Sequence, residues 1–398
     1  MNKQNWTPTK VKDVAKIVSG ATPKTSIEEN WGGDIPWLTP KDLSDNPAPY
    51  TSHGSRFLTE QGFNSCSTHM LPKGTVLLTS RAPVGYVSVA ANDICTNQGF
   101  KSLVLEDGQI PEFWYYLLSA NTETLLNYSG GSTFKELSKR SLEQIEFLIP
   151  PIEEQCEIVN FMQALDLMIQ AGDREIASAE QMRGDVLNSI LFGNDSEWEE
   201  VLLSDIATIN PRIKPLAPDT PFIEMADVDT WGRWAIPSGE KGKRGGIRAS
   251  GGDTLMARIT PCLENGKIAQ VPPEFGNVGG STEFIVLRAT EESLPDFIFL
   301  LTQSHKVHAE SIGLMVGTSG RQRVSAKDVG NILVPFPPLE EQEKVVARMQ
   351  TLDAYLESAK RSQEALKQVR QDALHALLSG DKDVRDLAEM FATDEDVA

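Results

Sequence analysis

The apolar positions of this chain keep two rhythms, and the rhythms alternate. Over residues 1–150 and 194–337, short β-branched and apolar runs such as "TVLLTS" (75–80) and "FIVLR" (284–288) are broken by Gly and Pro. Each segment also holds one apolar stretch of helical length, "PEFWYYLLS" (111–119) and "PDFIFLLTQS" (295–304). That mixture predicts strands, tight turns and a short helix. Over 151–193 and 338–380 the apolar spacing lengthens to three and four residues without an interrupting proline beyond the first turn, which predicts two long helices.

The two long stretches are one sequence written twice. "PPIEEQCEIVNFMQALDLMI" (150–169) returns as "PPLEEQEKVVARMQTLDAYL" (337–356), and a gapless alignment of 149–193 with 336–380 has 17 identities in 45 positions. Shared features are Pro-Pro, Glu-Glu-Gln, Met-Gln-x-Leu-Asp, an Arg and a closing Gly. Pro before the first turn and Gly after the last are helix boundaries, and the paired Glu suits the N-terminal dipole. Between those ends lie about 42 residues, or ~63 Å of helix, a length that fits a coiled-coil arm.

A heptad seam follows. In the first copy it reads Met162, Leu165, Ile169, Gly172, Ile176, Ala179, Arg183, Val186, Ile190. In the second it reads Met349, Leu352, Leu356, Ala359, Gln363, Leu366, Arg370, Ala373, Leu377. Apolar residues dominate, small ones permit close approach near the middle, and an Arg recurs at one seam position.

The duplication reaches into the mixed segments. "WTPTKVKDVAKI" (6–17) pairs with "WEEVLLSDIATI" (198–209), "GTVLLTSRAP" (74–83) with "GDTLMARITP" (252–261), and the stretch from Gly130 with that from Gly317. The expected architecture is α+β: two mixed α/β domains related by a pseudo-two-fold axis and separated by two long antiparallel helices forming a coiled coil. The expected boundaries are a first domain over 1–150, a long helix over 151–193, a second domain over 194–337, a second long helix over 338–380 and an acidic tail over 381–398.

Charge refines this picture. The formal net charge is −19, but residues 1–151 carry −2 and 201–338 carry −1, against −10 for 152–200 and −6 for 339–398. The negative charge is concentrated around the repeated helix, so whole-chain acidity does not exclude a polyanionic partner for the domains. Four scattered cysteines without a C-x-x-C indicate neither a disulfide framework nor a zinc site. The absence of a long apolar run or an apolar N-terminal leader leads to the expectation of a cytoplasmic protein.

Basic residues recur at matching places in the two domains. The first offers Arg81, Lys101, Ser132, Lys135, Lys139 and Arg140 as DNA-contacting candidates. The second offers Lys241, Lys243, Arg244 and Arg248 in a Gly-rich loop, then Arg258, Ser319, Arg321, Arg323 and Lys327. Cations and hydroxyls on glycine-bearing loops suit phosphate tracking. Any one of them is as readily a solvated surface cation; recurrence is what lifts the clusters.

Catalytic patterns are lacking. No Lys is preceded two residues earlier by Asp or Glu, as a metal-dependent nuclease motif requires, and no Gly-x4-Gly-Lys-Ser/Thr loop is present. "NPAPY" (46–50) is a faint echo of an amino-methyltransferase motif without the accompanying Gly-rich loop. His305 and His308 have helical spacing but no third metal ligand, and read as surface histidines. A non-catalytic chain without a metal is expected.

Two mixed domains, each closing on an apolar strand followed by "IPPIEEQ" or "FPPLEEQ" and a long helix, resemble the specificity (S) subunit of type I restriction–modification systems. "GTVLLTSRAPVGYVSVA", "TNQGFKSL" and "GDTLMARITPCLENGKIA" are similar to stretches of that family's target recognition domains. The resemblance covers the chain up to Gly380. It implies that each domain reads one half of a split site in double-stranded DNA, and that the helices set the unread spacer. It also implies two methyltransferase (M) subunits and two motor-endonuclease (R) subunits as partners in a prokaryotic cytoplasm. S-adenosylmethionine, ATP and Mg would then belong to those partners, with no cofactor bound by this chain. A recognition subunit of a type IIB-like system, or a protein scaffold that does not bind DNA, stays open on the sequence alone.

Overall fold

The computed structural model describes residues 5–131, 135–193, 198–242, 244–318 and 320–394, with side chains through residue 389. The chain divides into two compact units, Met1–Ala171 with Gln363–Ala398, and Gly172–Ser362. Each unit takes one mixed α/β segment and part of each long helix. Among the described residues no helix is long and apolar enough to cross a membrane.

In the first unit a five-stranded sheet runs in the order Ala15–Val18, Ser102–Leu105, Val76–Ser80, Val84–Ala90, Tyr50–Thr51. A three-stranded sheet of Arg56–Leu58, Trp31–Leu38 and Cys95–Thr96 accompanies it. Val76–Ser80 is buried throughout, which explains why Val76, Leu77 and Leu78 follow one another without polar alternation, and the hydroxyls of Thr79 and Ser80 are hydrogen-bonded to Pro83 O and Gly99 O. The helix Pro111–Ala120 begins with proline, whose missing N–H is no loss there, and packs on Val84–Ala90 through a face that includes Phe113, Tyr116 and Leu117.

The second unit repeats the plan with two four-stranded sheets. One runs Ala207–Ile209, Phe284–Ala289, Thr254–Ala257, Ile268–Gln270; the other runs Gly239–Glu240, Pro221–Ile223, Asn277–Gly280, Ile247–Ser250. The helix Pro295–Gln303 again starts on proline and packs on strands Phe284–Ala289 and Ile268–Gln270.

Each mixed segment is closed by a two-stranded antiparallel ribbon. Thr7 pairs with Ile149 in the first unit, and Glu200 with Pro335 in the second. The ribbon passes the chain straight to Pro-Pro and a long helix, Ile152–Phe192 or Leu339–Ser379, of 41 residues each. The glutamine of each Glu-Glu-Gln is buried and folds back on the prolines: Gln155 Nε2 donates to Pro150 O and Gln342 Nε2 to Pro337 O, both at 2.9 Å. That bond fixes the angle at which helix leaves ribbon.

The long helices pair antiparallel within each unit. In the first, Ile158, Val159 and Met162 share a core with Ala373, Leu374 and Leu377, while Gln363 Nε2 donates to Ile169 O. In the second, Leu187 and Leu191 share a core with Val345, Val346 and Met349, while Tyr355 donates to Glu175. Met162, Leu165, Met349 and Leu356 are buried; Ile169, Gly172, Ile176, Leu352, Ala359 and Leu366 are half-buried amid exposed neighbours.

The repeat contributes one further interaction, made twice. Asp166 and Asp353, the aspartates of the shared Met-Gln-x-Leu-Asp, ion-pair with Arg370 and Arg183, the shared arginines. The first unit holds Asp166–Arg370 and the second holds Arg183–Asp353. Each pair is tied to its own short helix: Tyr116 Oη donates to Asp166 at 2.6 Å, and Arg183 Nη2 donates to Gln303 Oε1 at 3.1 Å. Burial and the Asp166 hydrogen bond push the Tyr116 hydroxyl far above its ordinary pKa, so it stays a donor.

The tail also has structure. Val384–Asp394 is helical, and Leu387 is buried in the first unit's core beside the end of the second long helix. Arg370→Ala is expected to cost about 2–3 kcal/mol of stability, because Asp166, only 15% exposed, loses its cation. Urea unfolding of the variant checks this, and a double-mutant cycle with Asp166→Ala should give a clear coupling energy.

Candidate nucleic-acid interface

In the first unit the buried strand Val76–Ser80 runs out into a sharp turn at Arg81–Pro83, where Ala82 takes a φ of +53°. Thr79 pins that turn from below: its hydroxyl donates to Pro83 O at 2.8 Å and accepts from Tyr86 N at 2.9 Å. Beside the turn lies a cleft of about 780 Å³ lined by Arg81, Lys41, Lys135, Asn97 and Glu136, among others. Lys41 stands on the short helix Pro40–Asp45, whose Thr39–Asp42 cap is closed by bonds of 2.6 and 2.7 Å. Gly130 and Glu136 exchange two backbone hydrogen bonds of 3.0 Å, closing the loop that brings Lys135 to the rim. Arg81, Lys41 and Lys135 have no ion-pair partner among the described residues. Three uncommitted cations against one carboxylate make a rim suited to phosphate.

Lys101, an expected DNA contact, does not line this cleft. It is buried, its ammonium 3.5 Å from Ser80 Oγ and from Phe100 O, and burial lowers its pKa. The reason is its place between Phe100, which is in the core, and the buried start of the strand Ser102–Leu105. It underlies the turn and does not project from it. Arg140 is exposed on the helix Lys139–Gln144, where Lys139 lies 3.8 Å from Glu143. Ser132 lies outside the described residues.

The equivalent place in the second unit follows the strand Thr254–Ala257. Arg258 comes next, and its carbonyl accepts from Val324 N at 3.0 Å, as Ser80 O accepts from Leu137 N at 2.9 Å in the first unit. Arg323 and Val316 exchange two backbone bonds of 2.9 Å, closing a loop with Arg321 exposed near its tip. Arg323 Nε and Nη2 donate to Glu283 Oε2 and Oε1 at 2.9 and 2.8 Å. That hydrogen bonding, opposed by burial and aided by the charges of Arg323 and Arg258, holds the Glu283 carboxyl below its usual pKa. Arg258 Nε is buried without a hydrogen-bond partner among the described residues. Arg258, Arg321 and Arg323 are thus brought together; Lys327 is exposed on the adjoining helix Ala326–Gly330. Ser319 lies outside the described residues.

The Gly-rich loop is more committed than its composition suggests. Arg244 pairs with Glu224 and lies 5.2 Å above Phe222, and Arg248 Nη1 donates to Ile213 O at 2.6 Å. Lys241 is half-buried, and Lys243 is outside the described residues. Nearby Arg233 pairs with Asp296 at 2.7 Å and lies 4.5 Å from the Trp234 and Phe299 rings. His308 is not a surface histidine. It is buried, bonded through Nε2 to Leu263 O at 2.7 Å and packed edge-on to Trp231, because its helix turns Val307, His308 and Ser311 inward. Among the described residues no group of three or more His, Cys, Asp or Glu could hold a metal ion.

Lys41, Glu136 and Glu283 were missed by sequence reasoning. Lys41 follows a Thr-Pro helix start that carries no DNA signal of its own. Glu283 sits one residue before a strand picked out only for its apolar run.

A sequence model of the type I restriction modification DNA specificity domain matches residues 3–181 and 195–368. The chain belongs to this family. The type I restriction enzyme MjaIX specificity subunit of Methanocaldococcus jannaschii is 46% identical over 169 residues, 42% of this chain and 39% of that one. The EcoEI specificity subunit of Escherichia coli is 32% identical over 208 residues, 49% of this chain and 35% of that one. The matches therefore span less than half the length of these curated relatives. A solved structure described as the basis of complex assembly and conformational transition of the type I R-M system superposes with a TM-score of 0.66 at 15% identity. It covers 94% of this chain and 98% of that one, and shows a common fold.

Lys101→Met is expected to stabilise the first unit near pH 7, since a buried ammonium is disfavoured in the folded state. A lysine whose folded pKa is depressed gains stability as pH rises from that value to the unfolded one. The advantage of the variant should therefore shrink as pH climbs towards about 10.4. Urea midpoints of both proteins across that range are the check.

Proposed function

We propose that this chain is the DNA-reading subunit of a type I restriction–modification complex. Each mixed domain binds one half of a bipartite site, and the long helices fix the number of unread base pairs between the halves. The supporting observation is positional: arginines gather at the same turn after the buried strand in both units, Arg81 in one and Arg258 with Arg323 in the other. Their chain belongs to a DNA specificity family. Phosphate contacts from Arg81, Lys41 and Lys135 would set register without carrying sequence information, and side chains reaching base edges would supply it.

The charge distribution supports a division of labour. The first long helix, residues 152–192, carries −6 and the tail, 381–398, carries −5, against −1 for the second long helix; the exposed faces of the first helix and the tail suit protein partners, and the near-neutral domains with local cationic rims suit DNA. Those partners are two methyltransferase subunits, which bind S-adenosylmethionine and methylate adenine, and two motor-endonuclease subunits, which use ATP and Mg. The setting is a prokaryotic cytoplasm.

Co-expression of this chain with its cognate methyltransferase, followed by genome-wide mapping of modified adenines, is the deciding experiment. A motif of two short blocks around a fixed gap is expected; a continuous motif would retire the spacer role, and an intact complex that modifies nothing would retire the DNA reading. Four residues inserted into both helices near Gly172 and Ala359 add ~6 Å of helix, under two base pairs. The blocks should persist while the gap grows by one or two positions. Arg81→Ala and Lys135→Ala should each lower the slope of log K against log salt by about 0.9.

A further inference from the structure

The DNA reading proposed above leaves open which side chain reads a base. The second unit carries several Arg–carboxylate pairs, and one differs from the rest. Arg233 is packed against two aromatic rings, and Arg288 is held on Asp253 by Nε and Nη2, but its Nη2 also donates to Ser250 Oγ at 2.9 Å, which takes up its outer edge. Arg244 meets Glu224 through a single nitrogen. Arg323 is held by two parallel bonds and still leaves 43% of its side chain exposed.

The edge used for holding matters. A guanidinium has five N–H donors arranged along distinct edges. Glu283 occupies the edge formed by Nε and Nη2, leaving the outer edge formed by Nη1 and Nη2 uncommitted among the described residues. That outer edge is the fork that meets O6 and N7 of guanine in the major groove.

The mounting is stiff at both ends. Glu283 immediately precedes the strand Phe284–Ala289, and its carbonyl accepts from Arg258 N at 2.9 Å. Arg323 has its own N–H and C=O bonded to Val316. A long, rotamer-rich side chain is thereby fixed before any ligand arrives, which removes part of the entropy loss that binding would otherwise incur. Arg258 reinforces the arrangement, its charge bearing on the same carboxylate, so two guanidinia share one anion and the cluster stays net positive.

We infer that Arg323 is a specificity-determining residue that reads one guanine in the half-site of the second domain, with Glu283 as the positioning residue that aims its fork. A merely electrostatic role predicts something else: a phosphate contact would have no use for a carboxylate competing for the same cation. The inference rests on the DNA-reading function proposed above, and its test is built to fail separately.

The native full-length chain is first assembled with its methyltransferase and its methylated motif is read. Failure to obtain a motif overturns the DNA reading itself. With a motif in hand, duplexes carrying each single base-pair substitution are titrated against assemblies containing native chain, Arg323→Ala, Arg323→Lys and Glu283→Gln. The native assembly should discriminate about 10- to 100-fold at one G·C pair that becomes indifferent in Arg323→Ala, while preferences at all other positions persist. Arg323→Lys keeps the charge and loses the fork, so it should relax the same position. Glu283→Gln should weaken discrimination there and nowhere else. Variants that weaken every duplex equally, or leave all preferences intact, overturn the assignment. If Arg323→Ala no longer binds, the lysine variant decides by the same criterion.

Discussion

Two aspartate–arginine pairs, exchanged reciprocally between the long helices, are the constraint on which the rest depends. Asp166 meets Arg370, and Asp353 meets Arg183. An apolar seam of Met, Leu, Ile and Ala tolerates sliding and rotation, because one aliphatic contact resembles the next. A charge held at low exposure does not tolerate displacement, since a slip of one residue strands it without a partner. Burial works against the Arg370 cation, but the hydrogen bond and charge of Asp166 outweigh it and raise its pKa. The same groups take a further bond from the short helix of their own unit, Tyr116 in one and Gln303 in the other. One cluster thus sets helix register and domain attachment together.

Charge in the rest of the molecule is sorted by whether it is already satisfied. In the first unit the cations around the turn at Arg81 are uncommitted, so their field is available to a ligand. In the second, Arg233, Arg244, Arg288 and Arg323 each have a carboxylate within the unit. Counting basic residues treats these two surfaces as equals. Those paired arginines act differently from the free cations of the first rim: they offer oriented donors at contact, beside Arg321 and Lys327, which are exposed without an ion-pair partner among the described residues.

Much of this was legible in the sequence because repetition supplied a second reading of each element. The duplicated Pro-Pro-x-Glu-Glu-Gln marked both helix starts, and three-four spacing marked a seam that includes Met162, Leu165, Met349 and Leu356. The buried strands showed as short consecutive apolar runs at 76–78 and 284–287. What stayed hidden depends on contacts between distant residues. Lys101 reads as a groove cation until its neighbours bury it. His308 reads as a surface residue until Trp231 and Leu263 O enclose it. The Asp166–Arg370 pair was visible in outline, since Asp and Arg recur at one spacing in both copies, but only three-dimensional pairing shows that each aspartate takes the other copy's arginine.

The ribbons that close each mixed segment have a topological meaning. Thr7–Lys10 lies against Glu146–Ile149, and Glu200–Leu202 against Leu333–Pro335, so the chain enters and leaves each domain through one narrow neck. Seen from the helices, the second mixed segment is a loop whose two ends are already joined. Closing a loop depends only logarithmically on its length, about 0.6 kcal/mol for each doubling. Loops between the neck strands that do not touch the helices can therefore be lengthened or shortened at little entropic cost, provided that Tyr116, Gln303 and the core around them stay in place. In a molecule made this way the neck strands and the Pro-Pro helix starts confine such changes to the mixed segment in which they occur.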